Sequence, residues 1–307
     1  LIGDTAQLPP VNNDLSPALD PLEYKSHNLN AQEFELTQVI RQAKDSGILM
    51  NATYLRNKLI SKPECFPELD TEPFDDIINI GGNELVDTLE EEYDKHGMDE
   101  VKVICRSNKQ ANVYNKGIRS QILWREEELE PGDLLMVVKN NYMWLPENSE
   151  IDFIANGDMV KIIRIKKYYE MHDLRFQDVI VNFVDYPDLE VELRIMLDCL
   201  DINAPALPPE DNKEFFAKIK QDYPGLKGKD LFKALQKDPF LNALQVKYAY
   251  AFTCHKSQGG QWSSIFIDQG YVNEEMLGKS YYRWLYTAMT RATKNVFLIN
   301  FPKEFIK

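Results

Sequence analysis

Apolar positions recur at two different periods along the chain. Over residues 33–60 the apolar side chains fall at steps of three and four residues, which is the period of an amphipathic helix. The run Asp45-Ser46-Gly47 interrupts this period, so we predict two helices, with Ser46 as a cap. Further on, the strings DDIINIG and VKVIC predict short strands, each followed by a helical stretch, and Gly97 is predicted to end the first of these helices. Strand–helix alternation of this kind is typical of a parallel sheet covered by helices.

The pattern changes at Pro131, where short strands begin to follow one another with no helix between them. The tripeptide Asn156-Gly157-Asp158 is a strong turn signal within this region. Consecutive short strands predict a small antiparallel barrel over about residues 131–204. A helical stretch, broken at Pro224-Gly225, then leads back to a strand at Val246. The barrel strands are predicted at residues 132–142, 153–169, 178–186 and 189–197.

Length and composition are those of a globular protein of about two domains, with 307 residues of which 44% are hydrophobic. No apolar run reaches the ~20 residues of a membrane span, so no membrane partner is expected. The four cysteines are widely spaced and form no CxxC pair. Reduced thiols in a cytoplasmic protein are therefore expected, and no metal site is predicted.

A net charge of −14 disfavours nucleic-acid binding at first sight, but the charge is unevenly distributed. Residues 101–120 hold 5 basic and no acidic residues, and residues 245–307 hold 8 basic against 4 acidic residues. Residues 1–100 and 121–244 are strongly acidic. Local charge decides contact with phosphates, so the two basic segments are the candidates for it. Ordinary solvated lysines are the alternative interpretation.

Three strings carry most of the candidate chemistry. YAYAFTCHKSQGGQW (248–262) predicts a strand that enters a polar loop with two glycines, and YTAMTRATK (286–294) predicts a helix that carries Arg291. IGDTAQLPPV (2–11) predicts the end of a strand at Gly3-Asp4, followed by Gln7. Hydroxyls, amides and bare backbone N–H groups suit anionic oxygens, and a guanidinium supplies a charged fork for them.

These strings resemble the motifs of superfamily 1 helicases of the RecD and Dda type, in the same order. No GxxxxGK[ST] phosphate loop occurs in the chain, and no Asp-Glu pair precedes Gly3. In the family these elements precede the GDxxQL motif, so the resemblance implies the C-terminal part of a longer helicase. It also implies ATP and Mg as cofactors, with the magnesium ligands mostly outside this sequence.

The resemblance implies an α/β fold, with a RecA-like parallel sheet flanked by helices and an inserted small antiparallel β-barrel. Residues 1–28 would be the end of a first RecA-like domain. Residues 29–130 and 245–307 would form the second motor domain, and residues 131–244 the inserted barrel with its helical return segment. The family moves 5′ to 3′ on single-stranded DNA, and other subunits of a recombination or repair complex are expected partners.

Nucleotide contacts follow from the resemblance residue by residue. LTQVIRQ resembles a motif whose arginine, here Arg41, contacts phosphate, and Arg291 matches a second arginine. Gln261 stands where the family often has Glu, so ribose recognition by a carboxylate is missing at this position. The predicted catalytic residues are Arg41, Arg291 and Gln7. The predicted nucleotide-binding residues are Gly3, Asp4, Gln7, Arg41, Gly259, Gly260, Gln261 and Arg291.

Nucleic-acid contacts are predicted at two strand ends, where short polar side chains adjoin a helix or a loop. A capping role is the alternative for Asn108. Tyr142, Trp144 and Trp262 are candidate platforms for bases, and core positions are their alternative. The predicted nucleic-acid-binding residues are Arg106, Ser107, Asn108, Thr253, His255 and Lys256.

Two other functions remain open at this stage. The chain could be a binding module of a repair complex that has no motor activity, although Arg41, Arg291 and Gln7 would then have no use. It could also belong to a helicase that acts on RNA.

Overall fold

The structure is a computed structural model and describes residues 3–11, 13–30, 32, 34, 45–61 and 65–307. Most of the first helix predicted over residues 33–60 lies outside the described residues. Within the described part, no helix has the length and apolar character that crossing a membrane requires. The helices are α1 (Pro21–Ser26), α2 (Gly47–Ser61), α3 (Leu85–His96), α4 (Asn108–Gly117), α5 (Pro209–Gln221), α6 (Gly228–Gln236) and α7 (Lys279–Met289).

Ten strands are present in the described residues, and they form one sheet and one barrel. The strands are β1 (Ile77–Ile80), β2 (Val101–Cys105), β3 (Leu134–Val137), β4 (Met159–Met171), β5 (Leu174–Phe183), β6 (Glu190–Met196), β7 (Leu244–Tyr248), β8 (Ala251–Thr253), β9 (Trp262–Asp268) and β10 (Ala292–Ile299).

The chain divides into two compact units. The first, here called the sheet unit, comprises Leu1–Arg106 and Thr253–Lys307. The second, the barrel unit, comprises Ser107–Phe252. The division places residues 107–130 and 245–252 with the barrel, whereas the sequence analysis assigned both segments to the motor domain.

The sheet has the strand order β1-β10-β9-β2-β8. Strands β1, β10, β9 and β2 pair in parallel, with Ile77 opposite Val296 and Val103 opposite Phe266. Every residue of β2 and β9 is buried, as expected for strands covered on both faces. The predicted parallel sheet flanked by helices is therefore confirmed.

Helix α2 starts where the sequence predicted a break. The Ser46 hydroxyl accepts a hydrogen bond from the N–H of Leu49 (3.3 Å), and the Asp76 carboxylate accepts one from the N–H of Gly47 (2.9 Å). These bonds satisfy N–H groups that a helix start leaves without partners. Helix α3 ends at Gly97, whose φ of 88° favours glycine. Both predicted helix limits are confirmed.

The barrel is closed and has the strand order β3-β4-β5-β6-β7. Its neighbours are antiparallel, except that β6 and β7 run parallel. From Gln177 to Phe183 alternate residues of β5 are buried, which is the pattern of a half-buried strand. The predicted small barrel is confirmed, but the prediction for the strand at Val246 was wrong. This strand is β7, and it closes the barrel between β3 and β6 instead of returning to the parallel sheet.

Helices α5 and α6 cover one side of the barrel unit through a buried apolar cluster. Phe176 of β5 stacks on Phe215 of α5, with ring centroids 5.7 Å apart. Leu235 of α6 and Met196 of β6 belong to the same cluster. The helical return segment predicted by the sequence therefore packs on the barrel.

Candidate functional site

Residues 3–8 form a tight turn that Asp4 holds together. The carbonyl of Asp4 accepts a hydrogen bond from the N–H of Gln7 (3.2 Å), and its carboxylate accepts one from the N–H of Ala6 (3.0 Å). The Gln7 side-chain amide also donates to this carboxylate at 3.4 Å. Asp4 therefore fixes the backbone that presents Gln7.

This turn contacts both late motifs of the sheet unit. The hydroxyl of Thr287 on α7 accepts a hydrogen bond from the N–H of Leu8 (2.9 Å), and the Gln258 amide donates to the Leu8 carbonyl (2.7 Å). The Tyr286 hydroxyl donates to the Asp4 carboxylate at 2.8 Å. These bonds join residues that lie 250 to 282 positions apart in the sequence. They bring the three motifs together into one polar site.

Gly259 and Gly260, the two glycines of the second motif, are required for different physical reasons. Gly259 has a φ of 91°, a left-handed conformation that glycine adopts without strain. Gly260 lies against the Trp262 ring, and a Cβ at this position would approach a ring carbon to 2.7 Å or closer. Gly259 is exposed and Gly260 is half-buried, so the turn presents its backbone at the surface.

Arg291 lies in the connection between α7 and β10, because α7 ends at Met289. The prediction that Arg291 lies on the helix was therefore wrong. The side chain is 4% exposed, and its three nitrogens donate to the Thr287 carbonyl (3.1 Å), the Gly260 carbonyl (3.2 Å) and the Thr290 hydroxyl (3.2 Å). In this structure Arg291 therefore ties the end of α7 to the glycine turn.

Thr253, His255 and Lys256 follow one another where β8 runs into a short 3-10 helix (Cys254–Ser257). His255 is exposed, while Thr253 and Lys256 are half-buried. Desolvation lowers the pKa of both His255 and Lys256. A neutral imidazole can donate or accept a hydrogen bond, so His255 is suited to a polar contact more than to charge pairing.

Arg106 is exposed at the end of β2, with its guanidinium 5.8 Å from the Tyr281 ring and 5.9 Å from the Trp284 ring. Ser107 is the N-cap of α4 and accepts a hydrogen bond from the N–H of Gln110 (3.2 Å). The capping role considered for Asn108 therefore belongs to Ser107. Asn108 is the first helical residue and is half-buried.

A cavity of about 450 Å³ opens beside the Gln7 turn in the sheet unit. Gly3, Asp4 and Gln7 line it, together with Gln258 and Arg283. Its polar side chains are two amides, one guanidinium, two hydroxyls and the Asp4 carboxylate. The amides, the hydroxyls and the guanidinium can bond anionic oxygens.

The remaining predicted residues have other positions. Gln261 is exposed beside the glycine turn. Arg41 lies outside the described residues, so its contacts cannot enter the site. Within the described residues, no group of three or more His, Cys, Asp or Glu side chains could hold a metal ion. The described residues therefore offer no such cluster for magnesium.

Of the candidate aromatic platforms, Trp262 is buried at 7% exposure and belongs to the core. The Trp144 indole donates to the Asn242 carbonyl at 2.5 Å. Tyr142 is 73% exposed and stacks on Phe153, with ring centroids 5.2 Å apart. Among these three, Tyr142 is the most exposed and Trp144 is half-buried.

Sequence reasoning missed several residues that build the site. Gln258, Tyr286 and Thr287 lie inside the quoted strings, but their partners are on the Gln7 turn. Arg56 of α2 also pairs with the Asp4 carboxylate at 3.4 Å. Spacing along the chain carries no signal for contacts of this range.

The site thus joins a GDxxQL turn, a glycine turn and the end of α7. Residues 248–299 match the UvrD-like helicase C-terminal domain. This match confirms the predicted resemblance to superfamily 1 helicases, whereas the RecD/Dda subtype stays a prediction. The helicase-like segment contains the glycine turn and Arg291, and the Gln7 turn lies outside it. No curated protein matches the chain.

Among solved structures, the chain is similar to Pif1 helicase from Bacteroides in complex with ADP-AlF3 and single-stranded DNA, with a TM-score of 0.47 and 14% identity. It is also similar to Pif1 helicase from Candida albicans, with a TM-score of 0.43 and 15% identity. Each comparison covers 99% of this chain and 63% of the other. Likeness at this level says nothing about activity or substrate.

Proposed function

We propose that this chain is the C-terminal motor part of an ATP-dependent DNA helicase of the RecD/Dda type, which moves 5′ to 3′ on single-stranded DNA. Subunits of a recombination or repair complex and a cytoplasmic location belong to the same proposal. The observation that carries it is the meeting of the Gln7 turn with Gln258, Tyr286 and Thr287. A site assembled from these three motifs suits a nucleotide sensor better than a passive binding surface.

In this proposal Gln7 senses the terminal phosphate of ATP by hydrogen bonding, while Gly3 and Asp4 shape its turn. Gly259, Gly260 and Gln261 offer backbone and amide groups at the nucleotide's edge.

Arg41 and Arg291 stabilise charge that develops during phosphoryl transfer, a role worth about 10³–10⁵ in rate in related chemistry. Arg291 is bonded within its own unit in this structure, so this role requires it to exchange its bonds to Gly260 and Thr290.

The DNA side of the proposal uses two groups of residues, each described within its own unit. Thr253 ends β8, His255 and Lys256 lie in the short 3-10 helix that follows it, and Arg106 is exposed at the end of β2. Ser107 and Asn108 lie at the N-terminus of α4, where backbone N–H groups favour phosphate oxygens. Contacts of this kind position a backbone and do not read base sequence.

The test is the binding of a fluorescent oligothymidylate to residues 1–307, followed by anisotropy at several salt concentrations. We expect salt-dependent binding that His255→Ala and Arg106→Ala each weaken by about tenfold, while the exposed control Lys303→Ala changes it by less than about twofold. An oligouridylate measured in parallel distinguishes the substrates. Equal affinity for the RNA would contradict the DNA assignment, and no binding of either strand would contradict the nucleic-acid function.

A further inference from the structure

A groove in the barrel unit contains none of the helicase-like motifs discussed above, although the candidate base platform Tyr142 lines one end of it. It consists of two adjoining cavities of about 470 and 540 Å³, which share Lys139, Gln236 and Leu241 among their lining residues. The groove runs from the loop after β3 to the exposed faces of α5 and α6. None of the described residues that line it is Asp or Glu.

The charge of the groove contrasts with its surroundings. Lys139, Lys213 and Lys237 line it, and all three are exposed. They form no ion pair with a carboxylate of the described residues, unlike Lys218, which pairs with Asp173 and Glu214. Residues 121–244 as a whole hold 15 basic against 24 acidic residues. The groove is therefore a local positive site on an acidic segment, and it suits an anionic occupant.

The carboxylate that follows Lys237 in the chain is held inside the fold. Asp238 follows Lys237 but is 6% exposed, and it accepts hydrogen bonds from the Tyr223 hydroxyl (2.7 Å) and from the N–H groups of Phe240 (2.9 Å) and Leu241 (2.8 Å). Because these bonds hold the carboxylate inside the fold, Asp238 does not pair with Lys237 at the surface.

The groove also has apolar walls at the surface. Phe232 is 62% exposed and Phe216 is 48% exposed, on α6 and α5 respectively. Tyr142 forms the other end and is held by its stack on Phe153. Large exposed rings around a concave site are typical of a surface that binds another molecule.

The floor of the groove is already ordered. The Asn242 carbonyl accepts hydrogen bonds from the Trp144 indole (2.5 Å) and from the Asn141 amide (2.7 Å). Gln245 is buried, with its amide oxygen bonded to the N–H of Leu207 and its amide nitrogen to Asn212 (3.1 Å each). A rigid floor lowers the entropic cost of binding.

We propose that this groove binds an acidic peptide segment that inserts a bulky apolar side chain between Phe216 and Phe232 and places its carboxylates against Lys139, Lys213 and Lys237. The walls favour a peptide over a nucleic-acid strand, because they form a concave apolar pocket with lysines at its rim. A long polyanion would also have to cross the acidic surface around the groove, whereas a short peptide remains within it.

The probe is a fluorescein-labelled peptide of about twelve residues in which Asp alternates with Phe and Leu, titrated with residues 1–307. The tests are the double variant Lys213→Glu/Lys237→Glu and the single variant Phe232→Ser. The matched control is Lys220→Glu/Lys229→Glu, which changes the same net charge at exposed positions of α5 and α6, outside the groove. Urea titration of every variant checks that the fold is retained.

We expect both groove variants to weaken peptide binding by about tenfold or more, and the control by less than about twofold. A peptide with Lys in place of Asp should not bind, and an unlabelled oligothymidylate should not displace the acidic peptide. Absence of binding, an equal loss in the control, or displacement by the oligothymidylate at comparable concentration would each overturn the proposal. The result is independent of the helicase assignment, since none of these residues belongs to its motifs.

Discussion

Lys102 offers a sharp test of how the sheet is stabilised. It lies on β2 with its side chain fully buried, and its ammonium group donates to the Met98 carbonyl at 2.6 Å. Burial lowers the pKa of Lys102 from 10.5 to about 7, although the charges of Asp99 and Glu100 act in the opposite direction. We predict that Lys102→Met raises the free energy of unfolding, because methionine fills the same space without a charge.

The magnitude follows from the pKa. The pKa of Lys102 falls by about 3.5, from 10.5 to about 7. This fall corresponds to a free-energy cost of at most about 5 kcal/mol for holding the charged ammonium group in the sheet. Replacement of buried charged groups by apolar residues typically raises the free energy of unfolding by about 1–4 kcal/mol. We therefore expect Lys102→Met to raise it by about 3 kcal/mol at pH 7.

The stability difference between the two proteins should depend on pH in a defined direction. Below about pH 7 the folded and unfolded chains both carry the proton on Lys102, so the cost is complete and constant. Between about pH 7 and 10.5 the unfolded chain binds more protons at this residue, so the stability of the unmodified protein rises with pH. The advantage of Lys102→Met should therefore shrink by up to about 1.4 kcal/mol per pH unit in this window.

The assay is urea unfolding of both proteins at about pH 6, 7, 8.5 and 9.5, within and below the window in which linkage acts. Lys303→Met, at an exposed position of the same unit, serves as the control and should change little at any pH. A destabilised Lys102→Met variant, or a gain that does not vary with pH, would refute the reasoning.

Two further predictions concern the glycine turn and Arg291. Gly260→Ala should lower the free energy of unfolding by about 2–3 kcal/mol, because the added Cβ would meet the Trp262 ring. The control is Gly117→Ala in α4, where no atom lies within 4 Å of the added Cβ. It should raise the free energy of unfolding by up to about 1 kcal/mol in the same urea titration. Arg291→Ala should cost about 2–4 kcal/mol, since it removes three hydrogen bonds from a buried guanidinium. In the longer helicase of which we propose this chain is a part, Arg291→Ala should also lower kcat by about two orders of magnitude, with little recovery in Arg291→Lys. An unchanged kcat per folded molecule would mean that Arg291 has a structural role alone.

Local patterns in the sequence were sufficient for much of the fold. Ser46 marked the start of α2 and Gly97 the end of α3, because capping depends on residues that are adjacent in the chain. The change at Pro131 from alternating elements to consecutive strands was enough to predict the barrel. These features depend on short-range physics that a sequence displays directly.

The errors concern choices that tertiary contacts decide. The apolar run of β7 suits a parallel sheet or a barrel equally well, and only closure against β3 and β6 selects the barrel. The end of α7 at Met289, before Arg291, is also a matter of local packing.

Within the candidate site, the motifs identified which segments matter. The bond between Leu8 and Thr287 could not be derived from spacing, because it joins residues 279 positions apart.

The most direct test of the central claim is ATP hydrolysis, measured with and without single-stranded DNA, by residues 1–307 and by the longer protein of which we propose it is a part. We predict no appreciable turnover by residues 1–307, because the chain contains no GxxxxGK[ST] phosphate loop. The longer protein should hydrolyse ATP, and single-stranded DNA should accelerate it. ATP turnover by residues 1–307 alone would contradict the account. So would a longer protein that has a phosphate loop but whose rate of ATP hydrolysis does not change when single-stranded DNA is added.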